Sequence, residues 1–340
     1  MVKPQKPLAY VTDASPGWQR IQRGDGFVYQ NQRGQTIRNP RQLERIRLLV
    51  IPPAYTDVWI CPDPQGHLQA TGRDARGRKQ YRYHPLWQEQ RKQTKFERMA
   101  AFAAKLGLIR RRIQRDLKAG DTTQTSVAAA VVRLLDTTAL RIGNDSYARE
   151  NGSFGLTTLR NRHVTMRASR IRLAFKGKSG VEQQVELEDP RVARIVRRCQ
   201  DLPGQRLFQY VDDAGERRQL RSEHVNAYLH EIAGEDFSAK DFRTWHASVL
   251  ALSLALQSRS SDAPLTAPDI VRQVAQHLGN TVAVCRKYYI HPLVMEVCEG
   301  PEGGARCDAY AGQLRGSAGL REAERTLMAF LATGKRRRKP

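Results

Sequence analysis

No stretch of this chain approaches the roughly 20 consecutive apolar residues that a membrane-spanning helix needs. Its start, Met1-Val2-Lys3-Pro4-Gln5-Lys6-Pro7, carries no apolar leader either. Both point to a cytoplasmic protein with no membrane partner. Cysteine is scarce and odd in number: Cys61, Cys199, Cys285, Cys298 and Cys307, with no CxxC pair among them. That pattern disfavours a disulfide scaffold or a zinc ribbon and suits reduced thiols. The eight histidines show no HxxxH or HExxH spacing. Cys298 and Cys307 near His291 are read as ordinary thiols, because a structural zinc needs four ligands at tight spacings. No metal and no cofactor is assigned. Gly177-Lys178-Ser179 ends like a phosphate-binding loop, but the position five before Gly177 is Arg172 and not glycine. Nucleotide binding is excluded on that ground.

Acidic residues are the other shortage. Against 34 Asp and Glu stand 57 Lys and Arg, a formal net charge of +23 with a pI near 10.3. Such an excess calls for a polyanionic partner, and nucleic acid is commoner than an acidic membrane surface. At 340 residues the chain is long enough for two cores.

The fold class expected is α+β, without internal repeats. Residues 1–88 read as a β-rich module: Gly26-Phe27-Val28-Tyr29 and Val58-Trp59-Ile60-Cys61 are short strand-like runs punctuated by Gly and Pro. Asn39-Pro40 opens a short helix between them. Next, Arg73, Arg78 and Lys79 interleave with Gln80, Tyr81 and Tyr83, as a strand touching phosphates and base edges requires. Residues 89–320 read as a mainly helical domain. The span Trp87–Lys118 has helical period, with Phe96, Met99, Phe102, Leu106, Ile109 and Ile113 on one face. A second helix is expected from Ser126 to about Leu140. Ile171, Leu173 and Phe175 alternate with polar residues, as do Val181, Val185 and Leu187, which places Lys178 at a hairpin tip. Pro190 starts a helix, Asp212 to Gly215 marks a second hairpin, and Ser222 is expected to cap the next helix. Ser238 to Asp241 forms a capping box that puts Arg243 in the first two turns of another. Gly279 reads as the stop of a helix that follows Pro268. Residues 321–340 are expected to be a helix end and a basic tail.

Arg141, Lys178, Arg243 and Tyr289 are together a chemically coherent set. A phenol is a poor nucleophile at neutral pH, with an ordinary pKa near ~10. Neighbouring guanidiniums favour the phenolate and neutralise charge growing on the oxygens of phosphorus. Arginine suits that task because its planar fork grips two oxygens. Expelling a sugar alkoxide needs a proton donor, and an ammonium on a hairpin tip can reach the scissile bond. Adjacent residues of a helix point about 100° apart, so chemistry alone leaves the tandem Tyr288-Tyr289 open.

These residues in the order Arg, Lys, Arg, Tyr resemble the type IB DNA topoisomerases, specifically their compact poxvirus-like and bacterial branch. The resemblance runs from about Asp25 to Val297. It includes Ile51-Pro52-Pro53-Ala54-Tyr55-Thr56-Asp57-Val58-Trp59-Ile60, Gln69-Ala70-Thr71-Gly72-Arg73-Asp74, Arg149-Glu150-Asn151-Gly152-Ser153-Phe154-Gly155-Leu156 and Asp241-Phe242-Arg243-Thr244-Trp245. It implies that Arg141 and Arg243 are the two catalytic arginines and that Lys178 is the general acid. The family's register implies Tyr289 as nucleophile, with Tyr288 a packing residue. A fifth position, usually histidine, is Asn280 here, able to donate the same hydrogen bond without charge; His277, one turn earlier, is the alternative. Lys240 occupies the place of a supporting lysine. Gln80, Tyr81 and Tyr83, and Tyr147 in the larger domain, match DNA-contact positions.

What the resemblance implies is a nucleoid-associated monomer that clamps double-stranded DNA. It would cut one strand through a 3′-phosphotyrosine, let it swivel, and reseal it without ATP or metal. Tyrosine recombinases share the cations and the nucleophile. They usually carry HxxR at the second arginine, where this chain has Lys240-Asp241-Phe242-Arg243, and their small domain is helical. A non-enzymatic DNA-compacting protein would satisfy the net charge, but would need no cluster of cations around a tyrosine.

Overall fold

The computed structural model describes residues 7–259, 263–300 and 319–336. Cys307 and the last four residues of the basic tail lie outside the described residues. The chain divides into two compact units, Met1–Lys95 and Phe96–Pro340.

In the first unit, β1 (Trp18–Arg23), β2 (Gly26–Gln30), β3 (Thr56–Ile60), β4 (Leu68–Arg73) and β5 (Lys79–Tyr83) form one antiparallel sheet. Its order is β2-β1-β3-β4-β5, so the basic strand β5 is an edge. Charged residues are favoured there, where an unpaired strand flank faces water. Helix α1 (Pro40–Leu48) starts as expected: the Asn39 side chain accepts from the Arg41 N–H at 3.0 Å, and Pro40 supplies no donor that needs a partner. Trp18, Ile37, Ile46, Val58, Ile60 and Ala70 make the core. Strand β1 has no signature in the sequence. Gln19-Arg20-Ile21-Gln22-Arg23 lacks apolar alternation, and its pairing with β2 and β3 makes it a strand.

Helix α2 (Pro85–Ala119) runs across the division between the units. Its residues Phe96, Met99, Phe102, Leu106, Ile109 and Ile113 are all buried, as their spacing predicts. Each such side chain taken fully out of water contributes about 1.5–3 kcal/mol. Helix α3 (Gln124–Thr138) starts two residues earlier than expected, because Thr123 caps it by accepting from the Ser126 N–H at 3.3 Å. It ends at Ala139, whose backbone is left-handed (φ 53°), which turns the chain out of the helix just before Arg141.

After α4 (Asp145–Asn151), a three-stranded antiparallel sheet follows: β6 (Val164–Arg167), β7 (Arg170–Lys176) and β8 (Glu182–Glu188), with β7 central. In β7, Ile171, Leu173 and Phe175 are buried while the residues between them are exposed, the period-2 pattern of a sheet with one wet face. Helix α5 (Pro190–Asp201) and the small hairpin of β9 (Gln209–Val211) and β10 (Arg217–Gln219) come next. Helix α6 (Ser222–Ala233) corrects one expectation. Ser222 is its first helical residue and Arg221 the cap, its N–H donating to the His224 ring nitrogen at 3.2 Å. The remaining helices are α7 (Ala239–Arg259), α8 (Ala267–Leu278), α9 (Val282–Tyr288), α10 (Pro292–Glu299) and α11 (Glu322–Arg336). No described helix is long and apolar enough to cross a membrane.

Candidate active site

Four separate segments of the second unit meet at one cleft of about 290 Å³. Arg141 and Gly143 come from the loop after α3, Lys178 from the turn between β7 and β8, Lys240 and Arg243 from α7, and Tyr289 from the end of α9. Tyr147, Ser153 and Phe154 complete much of the wall.

Arg243 is placed by a short local rule. The Asp241 carboxylate accepts from the Ser238 N–H at 2.8 Å, which opens α7 and sets Arg243 one turn further in. Its side chain is buried, and its guanidinium donates to the carbonyls of Ala139 and, at 2.8 Å, Leu278. The guanidinium carbon sits 5.4 Å from the centre of the Tyr289 ring. Arg141 donates to the Gly279 carbonyl at 3.1 Å and to the side-chain oxygen of Asn280. Gly279 ends α8 in the left-handed region (φ 58°), and Asn280 follows directly.

Two buried donors here have no protein acceptor: Nε of Arg243 and Nδ2 of Asn280. A buried donor left unmatched is costly, which makes these two the natural grips for an anion. Burial, and next the Arg243 charge, lower the Arg141 pKa to about 10, against the opposing pull of Tyr289. Burial likewise lowers Arg243, again opposed by Tyr289. Two guanidiniums crowded in a poorly solvated cleft are each stabilised by an anion on the phenol or on a bound ligand.

Tyr289 and Tyr288 are separated by their surroundings. Tyr289 lines the cleft and packs against the main core, half-buried. Tyr288 is 39% exposed, with the Lys287 ammonium 5.3 Å from its ring centre, and it is not the packing residue expected. Tyr288 is the last residue of α9 and Tyr289 its cap, with a backbone that has left the helix (φ −120°), so the two adjacent rings point apart. Lys178 is exposed at the hairpin tip, beside Ser179 with its left-handed backbone (φ 62°). Lys240 is also exposed. His277 lies on the exposed side of α8 and does not line the cleft. Partial desolvation, and next Arg243, lower its pKa.

Two positioning features escaped the sequence reading. The first is the strap Phe154–Thr158. The Leu156 N–H donates to the Arg141 carbonyl at 2.9 Å, Thr157 to Ile142 at 2.7 Å, and Phe154 to the Lys176 carbonyl at 2.8 Å. One strap thus ties the arginine loop to the lysine hairpin. Gly155 is required in it, because a Cβ there would lie 2.5 Å from the Gly143 nitrogen. The second is Ser248 on α7, fully buried. Its hydroxyl donates to the Thr244 carbonyl at 3.1 Å and accepts from the His291 N–H at 3.0 Å, pinning the turn after Tyr289 to the helix of Arg243. The paired glycines Gly143 and Gly155 were a readable signal for the strap. Ser248, one of three serines in its helix, gave none.

The sheet edge of the first unit carries most of the other expected contacts. Tyr81 and Tyr83 are exposed and stacked, rings nearly parallel with centres 6.0 Å apart. The cations beside them have acidic partners: Arg78 pairs with Asp74 at 2.7 Å, Lys79 with Asp13 at 2.5 Å and Arg73 with Asp57 at 3.4 Å. Gln80 donates to the same Asp74 at 2.9 Å. Tyr147 is exposed at the mouth of the cleft in the second unit.

Residues 84–300, most of the chain and all of this cleft, match the family described as the catalytic core of eukaryotic DNA topoisomerase I. Residues 26–74 match the N-terminal domain of bacterial DNA topoisomerase IB. The chain belongs to the type IB DNA topoisomerases. DNA topoisomerase 1B of Acanthamoeba polyphaga mimivirus is 30% identical over 292 residues, which cover 83% of this chain and 87% of that relative. DNA topoisomerase 1B of vaccinia virus (strain Copenhagen) is 23% identical over 265 residues, or 75% of this chain and 81% of the relative. The Schizosaccharomyces pombe DNA topoisomerase 1 matches 45% of this chain at 30% identity, within 18% of its own length. As a type IB topoisomerase the chain is an isomerase acting on DNA, and the α+β architecture expected from the sequence is the one observed.

Proposed function

We propose that this topoisomerase cuts one strand of duplex DNA with Tyr289. The phenolic oxygen attacks a backbone phosphorus, the bond from phosphorus to the 5′-oxygen breaks, and a 3′-phosphotyrosine forms. Lys178 gives a proton to the departing 5′-oxygen, and the phenolic proton leaves to solvent. Arg141, Arg243 and the Asn280 amide hold the two non-bridging oxygens, and Lys240 adds positive charge at the rim. The free end swivels about the intact strand, then its 5′-hydroxyl reverses the reaction. One phosphodiester is exchanged for another of similar energy, so no ATP is consumed. Three fixed cations meet the charge on phosphorus, which is the work a metal ion would otherwise do.

The observation that carries this reading is the convergence of Arg141, Lys178, Arg243 and Tyr289, from segments spread over about half the chain, on one cleft. Tyr147 at that cleft and the edge strand with Tyr81 and Tyr83 are the surfaces assigned to DNA. The tyrosines stack or pack against it, and the basic residues exchange their carboxylate partners for phosphates. The enzyme acts as a monomer on the bacterial nucleoid. Relaxation of plasmid in excess EDTA without ATP tests the mechanism, with both negatively and positively supercoiled substrate. Both should be relaxed fully. Activity abolished by EDTA and restored by magnesium would refute the metal-free scheme.

A further inference from the structure

Behind the cleft, four helices share one buried ionic junction. Arg110 on α2 holds Asp136 of α3 with two hydrogen bonds, at 2.9 and 2.7 Å, and Glu324 of α11 with two more at 2.7 Å. The indole N–H of Trp245, on α7, donates to Glu324 at 3.2 Å, and the Arg321 N–H donates to its other oxygen at 2.8 Å. The Asp136 and Glu324 side chains are 0% and 2% exposed. Such a junction is a poor route to stability alone, because desolvating the charges offsets most of their attraction. It does fix geometry, since its bonds are directional and short.

The two helices it fixes are those that aim the catalytic arginines. Asp136 precedes Ala139 by three residues and Arg141 by five, and Trp245 follows Arg243 by two. The Arg243 guanidinium donates to the Ala139 carbonyl, so a slip of α7 along α3 would displace both arginines together. Glu324 lies beyond residues 84–300, the part of the chain that matches the catalytic core.

We propose that Glu324 is a positioning residue for strand cleavage: through Arg110 and Trp245 it holds α3 and α7 in the register that presents Arg141 and Arg243 to the scissile phosphate. The C-terminal helix is thereby part of the catalytic apparatus, although none of its described residues lines the cleft. This rests on the reading above that the two arginines hold that phosphate.

The test is a double-mutant cycle on the full chain. Single-turnover cleavage, DNA affinity and melting temperature are measured for Glu324→Ala, Arg243→Ala and the double variant. A misplacement of about 1 Å at a reacting centre costs on the order of 100-fold, so partial release of the register should slow Glu324→Ala about tenfold or more. DNA affinity should stay within about threefold, because phosphate contacts along the duplex dominate it. In the Arg243→Ala background, removing Glu324 should slow cleavage by no more than about twofold, since coupled residues do not add. Wild-type cleavage by folded Glu324→Ala, or equal slowing in both backgrounds, overturns the proposal. Cleavage at the wild-type rate by Arg243→Ala would instead sink the reading of the arginines. If Glu324→Ala does not fold at the assay temperature, Glu324→Gln replaces it, with a smaller slowing of about threefold that again depends on Arg243.

Discussion

Arg141 donates to the side-chain oxygen of Asn280, 139 residues further along the chain, and leaves the Asn280 amide nitrogen buried with no protein acceptor. One small side chain therefore has two jobs: it holds the Arg141 guanidinium in place with its oxygen and offers a donor of its own with its nitrogen.

Asn280→Asp separates those jobs. The carboxylate keeps an acceptor for Arg141 but has no N–H to offer. A hydrogen bond to a charged group contributes about 1.5–3 kcal/mol, so single-turnover cleavage should fall roughly 10- to 100-fold. Asn280→His should retain more activity than Asn280→Asp, since imidazole restores a donor. Equal cleavage rates for Asn280→Asp and the wild type would remove Asn280 from the phosphate site.

The neighbouring phenols give a second expectation. Tyr289→Phe keeps the ring over Arg243 and removes one hydroxyl, so folding and DNA binding should persist while the covalent adduct disappears. Tyr288→Phe should keep most activity, having lost a peripheral hydrogen bond of about 1 kcal/mol at most. Denaturing gels that detect protein joined to the 3′ end of a labelled strand read both. An adduct from Tyr289→Phe and none from Tyr288→Phe would transfer the chemistry to Tyr288.

For Lys178 the discriminating substrate has sulfur in place of the bridging 5′-oxygen. A thiolate departs without a proton, so Lys178→Ala should cut this DNA at nearly the wild-type rate while cutting ordinary DNA far more slowly. Cleavage measured on both substrates decides the matter. Equal slowing would mean that the hairpin lysine only positions phosphate.

Acid should expose the junction behind the cleft. Burial acts to raise the Glu324 carboxyl, but the Arg110 hydrogen bond, the Arg321 N–H and the Trp245 indole overcome it and hold the pKa at about 2, below the ordinary 4.5. A carboxyl lowered on folding contributes stability that is fully present above 4.5 and is lost as the pH falls toward 2. Its size is on the order of 3 kcal/mol. Melting curves of Glu324→Gln and wild type should lie far apart at pH 7 and converge between pH 4.5 and 2. A constant gap would show that the Glu324 charge contributes nothing.

Legibility in the sequence followed how local the determinant was. Asn39-Pro40 announced α1, Gly279 announced the end of α8, and the alternation of Ile171, Leu173 and Phe175 announced a strand with Lys178 beyond its end. Strand β1 was invisible because Gln19-Arg20-Ile21-Gln22-Arg23 has no pattern until two neighbours pair with it. Ser222 misled because serine is a common cap, whereas the turn here closes one residue earlier on His224. The pin at Ser248 and the junction at Glu324 were unreadable for one reason: each acts on a partner brought from elsewhere in the chain, and neither has a local signal such as the paired glycines of the strap.

By itself, the sequence pointed to the enzyme family, to the chemistry proposed for it and to most of the elements. Residue type sets what a group can donate, accept or attack, and short-range backbone preferences set where helices and turns begin. It named Arg141, Lys178, Arg243 and Tyr289 and the polyanion they would serve. Only the tertiary structure decided which of two adjacent tyrosines faces the cleft, which cations of the edge strand have carboxylate partners, and how the arginines are held. Those are matters of packing and of hydrogen bonds between distant segments, which are set only when the chain closes on itself.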